Sequence, residues 1–238
     1  MASGAEMGGF CCQNRPGRGM ISSEVRDMRT KEQVEGIIAA LEAEYPDADC
    51  TLYERDAWKL LVQVRLAAQC TDARVNMVTP ALFARYPDPA AMAQADISEV
   101  EEYIRSCGFY HGKARDLVLQ ARQLMDNFDG RVPNTMEDLL TLAGVGRKSA
   151  NLILGDVFRT PGAVVVDTHC IRLSNRMGLV DDEKDPGKIE KLLRDQLPPE
   201  KSNDFCHRLV LHGRAVCTAR KPYCERCCCA VYCRTMEP

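Results

Sequence analysis

Apolar residues recur at helical spacing through most of the chain from about residue 30 onward. Val34, Ile37, Ile38 and Leu41 fall three, four and seven apart and predict one helix face, which Pro46 ends. Asp56 stands where a side-chain cap would open a helix carrying Leu60, Leu61, Val64 and Ala68. Thr71 precedes another, with Val75, Val78, Leu82 and Phe83, and Ile97, Val100 and Ile104 predict a shorter one. A long stripe through Ala114, Leu117, Val118, Ala121, Leu124, Met125 and Phe128 is ended by Gly130. Met136, Leu139 and Leu140 lead into Gly144-Val145-Gly146, and Ala150, Ile153, Leu154 and Val157 continue beyond it. Later helices are expected over Ile171–Met177, Ile189–Leu193 and Phe205–Leu211. The one β-like run, Ala163–Val166, has four residues and no partner run. The pattern predicts an all-α fold without a fixed-period repeat. Residues 1–29 show no period and are expected to be a disordered tail, in which adjacent Cys11 and Cys12 lack ligand spacing.

The 238 residues are 45% hydrophobic and 27% charged, which suits one large globular domain or two smaller ones sharing an interface. No apolar stretch approaches the ~18 residues of a membrane span, and no secretory signal pattern opens the chain. The expected location is therefore the cytosol, with the thirteen cysteines reduced. A net charge of −3 would ordinarily argue against a nucleic-acid partner. The imbalance is local, however: residues 1–50 carry five Lys/Arg against nine Asp/Glu. Between Gly144 and Arg176, Arg147, Lys148, Arg159, Arg172 and Arg176 face only Asp156 and Asp167, and a basic face for phosphate is expected there.

Three constellations carry chemistry. In Leu142–Ala150, two helical patterns flank a turn with glycines two apart, Gly144 and Gly146. Turn amides followed by a helix N-terminus form an anion site, as in a helix-hairpin-helix holding a DNA phosphate. Glycines alone would serve a plain αα-corner, and the basic pair Arg147-Lys148 favours DNA. Lys148 is followed nineteen residues later by Asp167, directly after the apolar run. Asp167 could simply cap the next helix. A neutral lysine amine can also attack a sugar carbon to form a Schiff base, favoured by desolvation and by a neighbouring cation such as Arg147. A carboxylate beside it can stabilise the positive charge that grows as a glycosidic bond breaks. Finally, six of the thirteen cysteines lie within 217–233. Cys217-x6-Cys224-x2-Cys227-x5-Cys233 can wrap one metal centre, although Cys228 and Cys229 blur the register. Structural zinc usually uses two short knuckles, and only one short pair is present here.

Together Leu142–Ala150, Val166-Asp167-Thr168-His169 and the 6-2-5 cysteine spacing resemble the endonuclease III family, over about Thr30 to Cys233. The resemblance implies two helical lobes with a DNA cleft between them. Residues 52–159 would form a six-helix domain containing the helix-hairpin-helix at about 134–158. Residues 30–51 and 160–238 would form a discontinuous domain with a [4Fe–4S] cluster on Cys217, Cys224, Cys227 and Cys233. The implied activity is removal of oxidised or ring-saturated pyrimidines from double-stranded DNA, with strand cleavage 3′ to the abasic site by β-elimination. Lys148 would be the nucleophile and Asp167 its partner, with Gly144, Val145, Gly146 and Arg147 on the DNA. Gln69, within Ala68–Asp72, would fill the gap left by the flipped base, and Phe109 would wedge into the other strand or pack in the core. The implied protein is a monomer of the bacterial cytosol. Several positions depart from the family pattern. Ala143 stands where proline is usual and should loosen the turn, and Phe109 replaces a leucine. Ala67 and Cys70 flank the Gln69 core, and Leu140 stands where some members have glutamate. An adenine-removing branch of the same fold generally lacks the hairpin lysine. A non-catalytic iron–sulfur sensor or a zinc-bound DNA module would need neither Lys148 nor Asp167.

Overall fold

The computed structural model describes residues 28–236. The expected tail, residues 1–29 with Cys11 and Cys12, lies outside them except for its last two residues. There the Arg29 amide donates to the Gly178 carbonyl at 3.2 Å.

Among the described residues eleven α-helices form, and most open on a side-chain cap. Thr30 and Gln33 make a reciprocal capping box at α1 (Lys31–Glu44). Asp56 accepts from the Lys59 amide at α2 (Ala57–Ala67), and Thr71 from that of Arg74 at α3 (Asp72–Arg85). Asp88 caps α4 (Pro89–Ala93), whose Pro89 sits at the first helical positions, and Asp96 caps α5 (Ile97–Ile104). The five-residue α4 escapes a periodicity reading because it is barely one turn; Asp88-Pro89 is its local sign. With α4, residues 52–159 hold seven helices where six were expected.

The next helix, α6 (Tyr110–Phe128), ends at Asp129 and Gly130, both with positive φ, and the Gly130 amide bonds back to Leu124. Thr135 caps α7 (Met136–Thr141), whereas α8 (Arg147–Asp156) has only Gly146 at its start and no side-chain cap. Asp167 caps α9 (Thr168–Met177) and Asp185 caps α10 (Pro186–Gln196); α11 (Ser202–Ala215) follows. Short 3₁₀ turns carry the chain through the cysteine segment.

The β-like run Ala163–Val166 is buried but pairs with no strand among the described residues. It is a strap threaded between α8 and α9, and its Val165 amide donates to Cys206 Sγ at 3.3 Å. Apolar composition specified its burial; a strand also needs a neighbouring edge, and none lies alongside.

Helix α2 is hydrophobic nearly all round, with Leu60, Leu61, Val62, Val64 and Leu66 buried, as befits a helix surrounded by α3, α6 and α8. Helix α6 buries Ala114, Leu117, Val118, Ala121 and Leu124 against α4 and α5. On the other side α1, α9 and α11 pack together, and α11 touches α8. Lys113 is buried in α6, where burial pulls its ammonium below the ordinary range. Its Nζ donates to the Leu66 carbonyl at 2.8 Å and so satisfies the C-terminal end of α2.

Candidate active site and cysteine cluster

The turn 142–146 joins α7 to α8. Gly144 needs its glycine twice over: φ is +69°, and a Cβ would stand 2.5 Å from Arg65 Nε. Arg65 of α2 and Asp116 of α6 form an ion pair beneath it. Gly146 does not need positive φ; a Cβ there would meet open space, so the start of α8 is open to solvent. Ala143, expected to loosen the turn, does the opposite. Its N–H, which proline would lack, donates to Gln123 Oε1 at 2.8 Å, and its carbonyl accepts from Gln120. Two glutamines of α6 therefore pin the hairpin.

Lys148 lies in the first turn of α8, exposed, and Asp167 stands half-buried at the start of α9. Both line one cavity of about 150 Å³, together with Asp49, Thr51, Asp72, His207 and Arg214. Asp167 Oδ1 accepts from the Cys170 amide at 2.7 Å, so it does cap α9, which leaves its other oxygen for the cavity. The buried strap ahead of Asp167 and the hairpin ahead of Lys148 thus deliver two distant residues to one space. Thr51 and Asp72 hydrogen-bond across its wall, and Arg214 reaches Asp72 at 3.4 Å. The sequence reading gave Thr51, His207 and Arg214 no role; nothing local marks them, because only tertiary packing brings them here.

Three of the five cations of the expected basic face are tied to other protein groups, while Lys148 and Arg159 stay exposed. Arg147 Nε and Nη2 bind the buried Glu190 carboxylate of α10 at 2.9 and 2.6 Å. Arg172 donates to the carbonyls of Gly213 and Cys217, and Arg176 to the Thr218 carbonyl and Cys217 Sγ. These guanidinium groups hold the fold together, so charge counting overstated the surface available to phosphate.

Gln69 and Phe109 are exposed on adjacent loops, and a Cβ on Gly108 would lie 3.5 Å from the Gln69 carbonyl. Both residues have positive φ, 52° and 59°, a conformation costing a non-glycine residue about 1–3 kcal/mol. Phe109 is 73% exposed, which rules out core packing for it. Phe109→Ala is expected to change unfolding free energy by less than about 0.5 kcal/mol. The wedge role that the resemblance implies for Phe109 predicts that the same variant weakens binding to lesion-containing duplex roughly tenfold, the scale of one lost base–aromatic stack. Chemical denaturation and fluorescence anisotropy check the two halves.

Cys217, Cys224, Cys227 and Cys233 line a second cavity, beside Arg176, Met177, Pro222 and Tyr223. Cys228 and Cys229 are not among its walls; Cys229 is fully buried and turned towards the Ile37 carbonyl of α1. Cys227 Sγ also meets His212 Nε2 at 3.3 Å, and hydrogen bonds from Cys229 and His212 hold its thiol down at about 4 despite burial. The four thiols that converge on one largely apolar space suit an iron–sulfur group.

A glycine hairpin beside a cavity lined by both a lysine and an aspartate defines a class. The chain matches the HhH-GPD superfamily of base excision DNA repair proteins over residues 62–199. It is 47% identical to the endonuclease III of Synechocystis sp. over 208 residues, 87% of this chain and 94% of that one. It is 37% identical to that of Escherichia coli, covering 80% and 90% of the two chains. A trapped endonuclease III–DNA covalent intermediate superposes with a TM-score of 0.82 at 37% identity, over 88% of this chain and 98% of that one. A thermostable thymine-DNA glycosylase shares the fold at 22% identity and a TM-score of 0.78, covering 86% of this chain and 97% of that one. The chain belongs to the endonuclease III family, the bifunctional DNA glycosylase/AP lyases of base excision repair. Clustered cysteines accord with an iron–sulfur group in such a protein, and solved relatives carry DNA. No helix of the described residues is long and apolar enough to cross a membrane.

Proposed function

We propose that the chain excises oxidised or ring-saturated pyrimidines from duplex DNA, with Lys148 as nucleophile and Asp167 as its partner. The observation that carries this reading is their shared cavity. A lesion nucleotide turned out of the stack would enter it. Lys148 Nζ would attack the sugar C1′ and displace the base, while Asp167 balances the positive charge developing on the sugar. Loss of a proton from C2′ then drives β-elimination of the 3′ phosphate. The exposed amine of the free chain lacks the desolvation this attack needs; the extruded nucleotide, closing over it, supplies that. The trapped covalent DNA complex of a relative fits the same chemistry.

The backbone amides of Gly144, Val145, Gly146 and Arg147 would clasp a phosphate at the open start of α8. The Arg147 side chain, bound to Glu190, would serve by fixing that helix end. Gln69 would occupy the vacated position in the stack, and Phe109 would wedge the opposite strand. Residues 52–159 would act as one lobe, and 30–51 with 160–238 as the other, in a monomer of the bacterial cytosol.

Cys217, Cys224, Cys227 and Cys233 would hold a [4Fe–4S] cluster, which would cross-link the C-terminal segment through metal–thiolate bonds. Cys217→Ser is expected to lose most of the iron and to lower Tm by roughly 10 °C, since ligation energy is also folding energy. Iron analysis and calorimetry would show it.

Borohydride trapping over a lesion panel tests the whole reading. Thymine-glycol and abasic duplexes should give covalent complexes, and adenine opposite oxidised guanine should not. Trapping confined to the abasic duplex would refute the pyrimidine assignment.

A further inference from the structure

We propose that Asp49, Asp156 and His207 form a zinc site at the inner end of the catalytic cleft. One donor atom from each lies within 4.8 Å of the others. They come from three elements: the loop before α2, the last residue of α8, and α11. Asp49 and His207 line the cleft that contains Lys148.

Asp49 accepts from the Cys50 amide at 2.7 Å and pairs with Arg55 at 2.5 Å, so the open position in the cluster lies at Asp156. Asp156, with a side chain only 2% exposed, accepts from His207 Nε2 and Asn203 Nδ2 through the same oxygen, both at 2.7 Å. Its other oxygen, Oδ2, is buried with no hydrogen-bond partner. A bare buried carboxylate oxygen is costly, and a cation removes that cost. Burial works to raise the Asp156 pKa, but the bond and charge of His207 and the bonds from Asn203 and the Cys50 thiol outweigh it, so the group stays available as an anion.

The donor set selects the ion. Two carboxylates and an imidazole balance a divalent charge. The imidazole favours a transition metal over magnesium or calcium, which prefer oxygen alone. Three protein ligands with a fourth position towards a cleft is a common zinc arrangement. Because Asp156 ends the helix that begins beside Lys148, the ion would tie that helix to α11 and to the loop before α2.

The test uses the full chain with its iron in place. Protein stripped by chelating resin is titrated with zinc, and zinc and iron are counted by mass spectrometry. One zinc per chain should bind the parent protein. Asp49→Asn and His207→Gln should each weaken that binding at least tenfold while iron content stays constant. Asp49 is exposed, so its variant reports on the site even if substitution at buried His207 unfolds the chain. Absence of zinc binding by the parent protein, or equal affinity in parent and Asp49→Asn, would overturn the proposal.

Discussion

Lys148→Ala should yield no borohydride-trapped adduct with abasic or thymine-glycol duplex, and strand cleavage should fall by roughly 10⁴-fold or more, as when a covalent nucleophile is removed. The reason lies in what the side chain does and does not touch. Lys148 is exposed in the first turn of α8, and among the described residues its amine makes no hydrogen bond or ion pair. Alanine is the best helix former, so the hairpin should survive the change and duplex binding should remain measurable. Gel analysis of trapped complexes, alongside anisotropy, separates chemistry from binding. A trapped adduct of undiminished yield would make another amine the nucleophile.

Asp167→Asn should slow base release by about 10²–10⁴-fold, the range of a lost acid–base or charge-stabilising group. Stability should meanwhile hold to within about 0.5 kcal/mol. Asp167 does two jobs in the structure: one oxygen caps α9 through the Cys170 amide, and the side chain lines the cleft beside Lys148. Asparagine caps a helix about as well as aspartate, so the substitution spares the first job and removes the charge needed for the second. Single-turnover release of free base, set against thermal unfolding, resolves them. If Tm falls and the rate does not, Asp167 is only a cap.

Much of the fold is legible in the sequence because its signals are local. Asp56, Thr71, Asp96, Thr135 and Asp185 each stand one residue before a helix and each accept a backbone bond there. Spacing of apolar residues then places most of the longer helices, with Pro46 and Gly130 as breakers. The Gly144 turn and the Asp167 cap were readable for the same reason: each is a short word whose local geometry is fixed by residue type. What failed to show was partner choice over distance. Arg147 reads as a free cation until Glu190, forty-three positions later, is found holding it. Ala143 reads as a lost proline until Gln123 appears beneath its amide. Asp156 and His207, fifty-one apart, carry no mutual signal at all. Four valine- and alanine-rich residues announced burial correctly at 163–166, yet whether such a run finds a neighbour to pair with is settled by topology.

Helix α6 begins at Phe109 and carries, at Gln120 and Gln123, the two side chains that grip the hairpin at Ala143. Eleven to fourteen residues of α-helix measure about 16 to 21 Å. At 3.4 Å per step along one strand, that length corresponds to about five or six base steps. A single stiff rod therefore sets the distance between the exposed Phe109 and the glycine hairpin. Lengthening or shortening it by one residue would rotate the two ends by about 100° relative to each other, so the placement of Phe109 relative to the hairpin is set by one helix rather than by the flexibility of loops.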